Sequence, residues 1–208
     1  MTREEILKKA KPILFNTDMV RAIMDGRKTV TRRLLKLPNH VEQNENGLYT
    51  LFADGTCYEN QSMEQIKEYI KTPFKAGDYL YVRETWSDHY APDDEGKAKL
   101  QYCYKADGID IKAECLPGET NRWYPSIHMP KEAARIFLKV TDVRVERLQD
   151  IMKSPNGPKN QVVREGCTYG CDFIAVWDST IKKSEKDIYG WDANPWVWVI
   201  EFEKMEVE

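Results

Sequence analysis

Apolar positions along this chain come in short bursts, most with the two-residue period of a strand and a few with helical spacing. Ile13-Leu14-Phe15, directly after Pro12, predicts a first strand. Met19, Val20, Ile23 and Met24 then fall near helical spacing. They predict a helix over about 18–25 that starts at Thr17-Asp18, with Gly26 where a left-handed cap belongs. The β-branched Thr29-Val30-Thr31 begins a strand. Residues 38–75 read as an insertion, with turns at Pro38-Asn39-His40 and Asn44-Glu45-Asn46-Gly47 and a short helix over Ser62–Ile70. After the turn Ala76-Gly77-Asp78, a strand over Tyr79–Glu84 puts Leu80, Val82 and Glu84 on one face and Tyr79, Tyr81 and Arg83 on the other.

The second half continues the rhythm. Ala91–Gly96 reads as a polar, mobile loop and Leu100–Ala106 as a strand. A helical turn at Lys131–Ala134 leads into a long strand carrying Ile136, Leu138, Val140, Val143 and Val145. A loop at 154–160, helices over about 161–166 and 172–183, and a last strand Val197–Glu203 complete the pattern. Many short strands with few helices and no regular β-α alternation predict an α+β, mostly β architecture.

Composition narrows the function. The 208 residues suit one domain with a substantial core. A net charge of −3 provides no global attraction to nucleic acid, so any such binding must rest on a local basic patch. No apolar run approaches a membrane span, and the N-terminus, Met1–Lys9, lacks the apolar centre of a signal peptide, so a cytoplasmic location is expected. The five cysteines, Cys57, Cys103, Cys115, Cys167 and Cys171, form no C-x-x-C pair. Cys167 and Cys171 stand at i, i+4, but His40, His89 and His128 all lie far along the chain from them. A structural zinc site wants four N or S ligands, so reduced thiols and no metal are expected.

One segment concentrates candidate chemistry. Asp25-Gly26-Arg27-Lys28-Thr29-Val30-Thr31-Arg32-Arg33 places four basic side chains and two hydroxyls between a helix and a strand. Such donors at one sheet edge suit a phosphate, a carbonyl or an acyl oxygen; a merely solvated basic surface is the plain alternative. Lys28 and Thr31, three apart, face opposite ways in a regular strand, so they converge only if Lys28 still lies in the turn after Gly26 or a bulge intervenes. Elsewhere, Arg83 and Glu84 end a strand before Trp86, either lining a cleft or forming salt bridges. Ser126 and His128 sit in the turn Pro125-Ser126-Ile127-His128-Met129-Pro130 as candidate substrate contacts. Trp191, Trp196 and Trp198 belong to core or rim, with one of them able to stack on a base.

The chain resembles the ASCH-domain family of the PUA-like superfamily, found in bacteria and in phage genomes. The likeness rests on Pro12–Thr17, Met19–Ile23, Gly26–Arg33, Ala76–Trp86, Pro125–Pro130 and Trp191–Phe202, blocks that run in order through nearly the whole chain. The resemblance implies a PUA-like β-barrel with short helices packed around it. It also implies one domain over residues 1–208 with insertions at 38–75 and 87–122. It implies a nucleobase, nucleoside or RNA partner and no cofactor. Small ASCH proteins of this kind are amidohydrolases acting on N4-acetylcytidine, with a lysine and a threonine in a G-x-K-T-x-T motif and a downstream glutamate. By that motif the residues are Lys28 and Thr31, with Glu165 as the best match for the glutamate. Arg27, Arg32, Arg33, Arg83, Glu84, Trp86, Ser126 and His128 would then surround the ligand.

Two roles for Lys28 remain open at this stage. As a base it must be neutral, which requires its pKa to fall from about 10.4 toward 7 or 8, roughly 4 kcal/mol of disfavoured ammonium. Paired tightly with Glu165 it would instead stay charged and stabilise an oxyanion. Beside amide hydrolysis stand a non-catalytic RNA-binding module and a ribonuclease, each using the same basic edge.

Overall fold

A computed structural model describes residues 1–35, 41–46, 48–53, 55–62, 65, 72–92, 96–111, 122–153 and 158–207. Its frame is a five-stranded sheet in the order β1-β6-β9-β10-β2, built from Lys11–Leu14 (β1), Val30–Leu34 (β2), Tyr79–Arg83 (β6), Phe137–Arg147 (β9) and Trp196–Met205 (β10). β1 runs parallel to β6, with Leu14 opposite Arg83, and the remaining ladders are antiparallel. β1 and β2 are therefore the two edges of this sheet. Arg33 on β2 donates to the carbonyl of Leu14 on β1 at 2.6 Å, so a side chain spans the gap between the edges.

The long β10 organises the interior because both its faces are buried. Trp196, Trp198, Ile200 and Phe202 enter one apolar cluster with Ile13, Phe15, Val20, Ile23, Leu80 and Leu138. The alternate residues Val197 and Val199 enter another, with Val30, Leu148, Val162, Phe173 and Trp177. A strand covered on both sides reads as an almost unbroken apolar run, as Trp196–Ile200 does. Each fully buried Val, Ile, Leu or Phe contributes about 1.5–3 kcal/mol relative to exposure. That burial holds two helical layers against the sheet. On one side lies α2 (Thr17–Met24); on the other are α3 (Pro158–Arg164) and α4 (Gly170–Thr180). A third cluster seats α1 (Arg3–Lys9) through Ile6 against Tyr81, Trp86 and Phe137.

The mixed α+β class, rich in strands with a few short helices, agrees with the sequence pattern. The 38–75 region keeps the expected turn at 44–46 and adds strands that the pattern did not indicate. It carries a three-stranded sheet, β3 (Val41–Gln43), β4 (Tyr49–Ala53) and β5 (Thr56–Gln61). The helix read over Ser62–Ile70 falls almost wholly outside the described residues, as do 154–157 of the expected loop. A second departure is the hairpin of β7 (Trp86–Pro92) and β8 (Ala98–Tyr104), whose first strand extends into the stretch read as a loop. Among the described residues no helix is long and apolar enough to cross a membrane.

Candidate active site

Asn16 opens the way to the site by capping α2, its side chain accepting from the Met19 amide at 2.9 Å. The helix ends at Gly26, whose φ of +73° is the left-handed geometry that glycine adopts without strain. The chain then doubles back so that the Lys28 amide bonds to the Ala22 carbonyl at 2.9 Å. Lys28 thus precedes β2, and strand alternation does not apply to it. This resolves the geometric conflict: Lys28 turns inward from the loop while Thr31 is set by the strand.

The Lys28 side chain is fully buried. Its Nζ donates to the carbonyls of Val30 at 2.8 Å and Glu165 at 2.7 Å, and to Glu165 Oε2 at 3.0 Å. Three acceptors match the three donors of an ammonium, whereas a neutral amine has two. Burial pushes the lysine pKa below its ordinary value, opposed by the charge and hydrogen bond of Glu165, with Arg33 adding to the depression. The partner pair and the three acceptors decide for the charged form at neutral pH. The Glu165 carboxylate is held at its other oxygen by Arg32, at 2.8 Å, and Arg32 also reaches Glu146 at 3.4 Å. Buried charges in such a cluster are tolerable only because each faces an opposite one at hydrogen-bond distance.

Glu165 is delivered by the end of α3, where Gly166 follows with φ +89°. A Cβ on Gly166 would stand 3.0 Å from Ala22 Cβ and 3.3 Å from Lys28 Cδ. Only glycine satisfies both this backbone and this close approach of α3 to α2. Arg164 ties the same corner down, bonding Thr29 Oγ1 at 3.0 Å and Glu201 at 2.6 Å. Sequence reasoning missed Gly166, Arg164 and Glu146. A glycine directly after the candidate glutamate was the available signal for the first.

Thr31, Arg32, Arg33 and Glu165 line a cavity of about 390 Å³ that wraps the free edge of β2. Its volume is in the ordinary range for small-molecule sites, roughly 300–1,000 Å³. Phe173 and Trp177 of α4 form its apolar wall, and Met19 and Asn16 its opposite side. The i, i+4 spacing of Phe173 and Trp177 was visible in the sequence, though not its purpose. Lys28 itself sits behind Glu165 and out of the cavity wall.

The other candidates are distributed differently. Arg27 is exposed and paired with Asp25 at 3.0 Å. Glu84 is buried and takes both its hydrogen bonds from Arg135, at 2.9 and 3.0 Å, while Arg135 also pairs with Asp107 at 2.8 Å. Desolvation pushes the Glu84 carboxyl above its ordinary range, against the pull of Arg135. Trp86 packs in the third cluster, stacked on Tyr124 with ring centroids 5.1 Å apart. Ser126 and His128 form a 3-10 turn in which His128 is exposed. That turn serves Arg83, whose guanidinium donates to the carbonyls of Met129 and Ile127. Glu84, Trp86, Ser126 and His128 thus stand apart from the Thr31 cavity, and Glu84 follows the salt-bridge alternative. Cys167 is buried and precedes α4, and Cys171 is exposed on it, so the two do not share a helix. Among the described residues no three His, Cys, Asp or Glu side chains are grouped to hold a metal.

No protein-family model matches the chain, and no curated protein or solved structure is significantly similar to it.

Proposed function

We propose that the Thr31 cavity is the active site of an amidohydrolase of the ASCH type, which removes the acyl group from N4-acylated cytidine. The observation that carries this reading is that Thr31 and Glu165 line one cavity while Glu165 is bonded from behind by the buried Lys28, 137 residues away in the chain. These are the three residues singled out by the family motif, and packing alone does not require a fully buried lysine there. The same resemblance favours a barrel reading of the sheet, with Arg33 spanning the gap between its two edges.

In this mechanism Thr31 Oγ1 attacks the acyl carbon while Glu165 takes the hydroxyl proton. The C–N bond breaks as that proton passes to the leaving amine, giving cytidine and a threonyl ester. Water then attacks the ester carbon, losing a proton to Glu165, which returns it to Thr31 Oγ1 as the carboxylic acid departs. Lys28 and Arg32 fix the orientation of the carboxylate throughout. Proton transfer by a positioned side chain contributes typically 10²–10⁴-fold, and the enclosed setting strengthens each electrostatic contact.

The RNA-binding and ribonuclease readings have weaker support. Both need cations free to neutralise phosphate. Of the segment's arginines, Arg27 already pairs with Asp25 and Arg32 is buried against Glu165 and Glu146, which leaves Arg33 as the segment's single arginine for a phosphate, too few for a nucleic-acid backbone. Incubation with a panel of N4-acylcytidines, followed by absorbance and mass spectrometry, tests the proposal. Release of cytidine is expected. Absence of turnover across the panel, together with salt-sensitive RNA binding lost in Arg32→Ala and Arg33→Ala, would replace it with the binding module.

A further inference from the structure

Beside the Thr31 cavity lies a second one of about 480 Å³, at the seam between the sheet edges β1 and β2. The two share Leu14, Arg33 and Leu34 in their walls. Two guanidiniums line the second cavity, Arg33 and Arg83. Both are brought to Leu14: Arg83 stands opposite it in the parallel ladder, and Arg33 donates to its carbonyl at 2.6 Å.

These two arginines differ from their neighbours in charge balance. Arg27, Arg32, Arg135, Arg144 and Arg164 each pair with a carboxylate. Among the described residues Arg33 and Arg83 form no ion pair, although the Glu165 charge acts on Arg33; Arg3 and Arg147 are likewise held by carbonyls but do not line this cavity. Arg83 is fixed by the carbonyls of Met129, at 3.1 Å, and Ile127. Arg33 is braced over the Phe15 ring, 5.2 Å from its centroid. Carbonyls and rings orient a guanidinium without neutralising it. Two such forks, pre-oriented around one cavity, complement a tetrahedral dianion. Trp198 and Phe74 supply apolar wall beside them.

We propose that this second cavity binds a phosphate monoester, so that the substrate of the adjoining centre is an N4-acylated cytidine nucleotide rather than the free nucleoside. The choice of nucleotide rests on the amidohydrolase reading above; the anion preference rests on the two arginines alone. The base and its acyl group occupy the Thr31 cavity, and the phosphate crosses the shared wall at Arg33 to reach Arg83.

Binding of cytidine, cytidine 5′-monophosphate and inorganic phosphate to the full chain tests the proposal, by calorimetry and by thermal shift against chloride of equal ionic strength. The monophosphate is expected to bind roughly tenfold or more tightly than cytidine, the gain from one or two charge-assisted hydrogen bonds. Phosphate alone should raise the melting temperature. Arg83→Gln and, independently, Arg33→Gln should erase both the preference and the phosphate effect. Arg83→Lys, which keeps the charge but not the fork, should retain only part of the preference, and it provides a measurement should Arg83→Gln fold poorly. Equal affinity for cytidine and its monophosphate overturns this inference and leaves the amidohydrolase reading intact. A phosphate effect that depends on both arginines, with no response to either cytidine compound, overturns the nucleotide assignment and the amidohydrolase reading together.

Discussion

At the scale of single residues, the decisive quantity is the charge balance around Lys28 and Glu165. Removing one partner of a buried ion pair leaves an uncompensated charge, at a cost of about 3–5 kcal/mol. Lys28→Met should therefore lower unfolding free energy by that order, measured by urea titration. The double variant with Glu165→Gln should lose less than the sum of the two single losses, because the second substitution removes the charge that the first stranded. A second residue-scale test uses alkali. Tyr104 donates to the Ala133 carbonyl at 2.5 Å and is partly buried, which pushes its phenol up to about 12. Between pH 10 and about 12 the unfolded chain releases a proton that the folded chain keeps, so stability falls with rising pH across that window. Tyr104→Phe should flatten that part of the pH–stability curve, as measured by urea midpoints from pH 9 to 12.

At the scale of elements, the two glycines that end α2 and α3 make a controlled comparison. Both have positive φ, at +73° and +89°, but only Gly166 faces a neighbour that an added Cβ would strike. Gly26→Ala should cost about 1–2 kcal/mol, the backbone penalty alone. Gly166→Ala should cost more, since Ala22 or the Lys28 stem must also move, and it should impair the site while Gly26→Ala leaves the cavity contacts in place. Chemical denaturation of both variants, with activity assayed alongside, checks the order. The first of these elements was legible: the helix, the glycine cap and the β-branched strand at 17–34 follow from local pattern, as do β6, β9 and β10. The polar β7, Trp-Ser-Asp-His-Tyr-Ala-Pro, was not, because its strand character comes from pairing with β8 rather than from an apolar face. The three-stranded sheet of the 38–75 region escaped for a related reason. Its turn residues were plain, but its strands carry little two-residue periodicity, and Thr56–Gln61 is mostly exposed.

At the scale of the whole molecule, the sheet brings together what the chain keeps far apart. The resemblance pointed to Lys28 and Thr31 through one short motif and to Glu165 as a best match far along the chain; Lys28 and Arg32 both bond that glutamate in the fold. What no local pattern indicated was that Arg33 and Arg83, neither of them in an ion pair, meet at one cavity on the seam. That meeting arises from strand order, with β1 and β2 as edges, and strand order is not written in any one segment. The central claim is that the Thr31 cavity breaks an amide with Glu165 moving the proton, and it is tested most directly by the turnover rate on N4-acetylcytidine of the wild-type chain beside Glu165→Gln. The account predicts cytidine release by the wild type and a loss on the order of 10²–10³ in the variant, with cytidine affinity changed far less. Wild-type and variant rates that are equal, or both indistinguishable from the uncatalysed background, would contradict it.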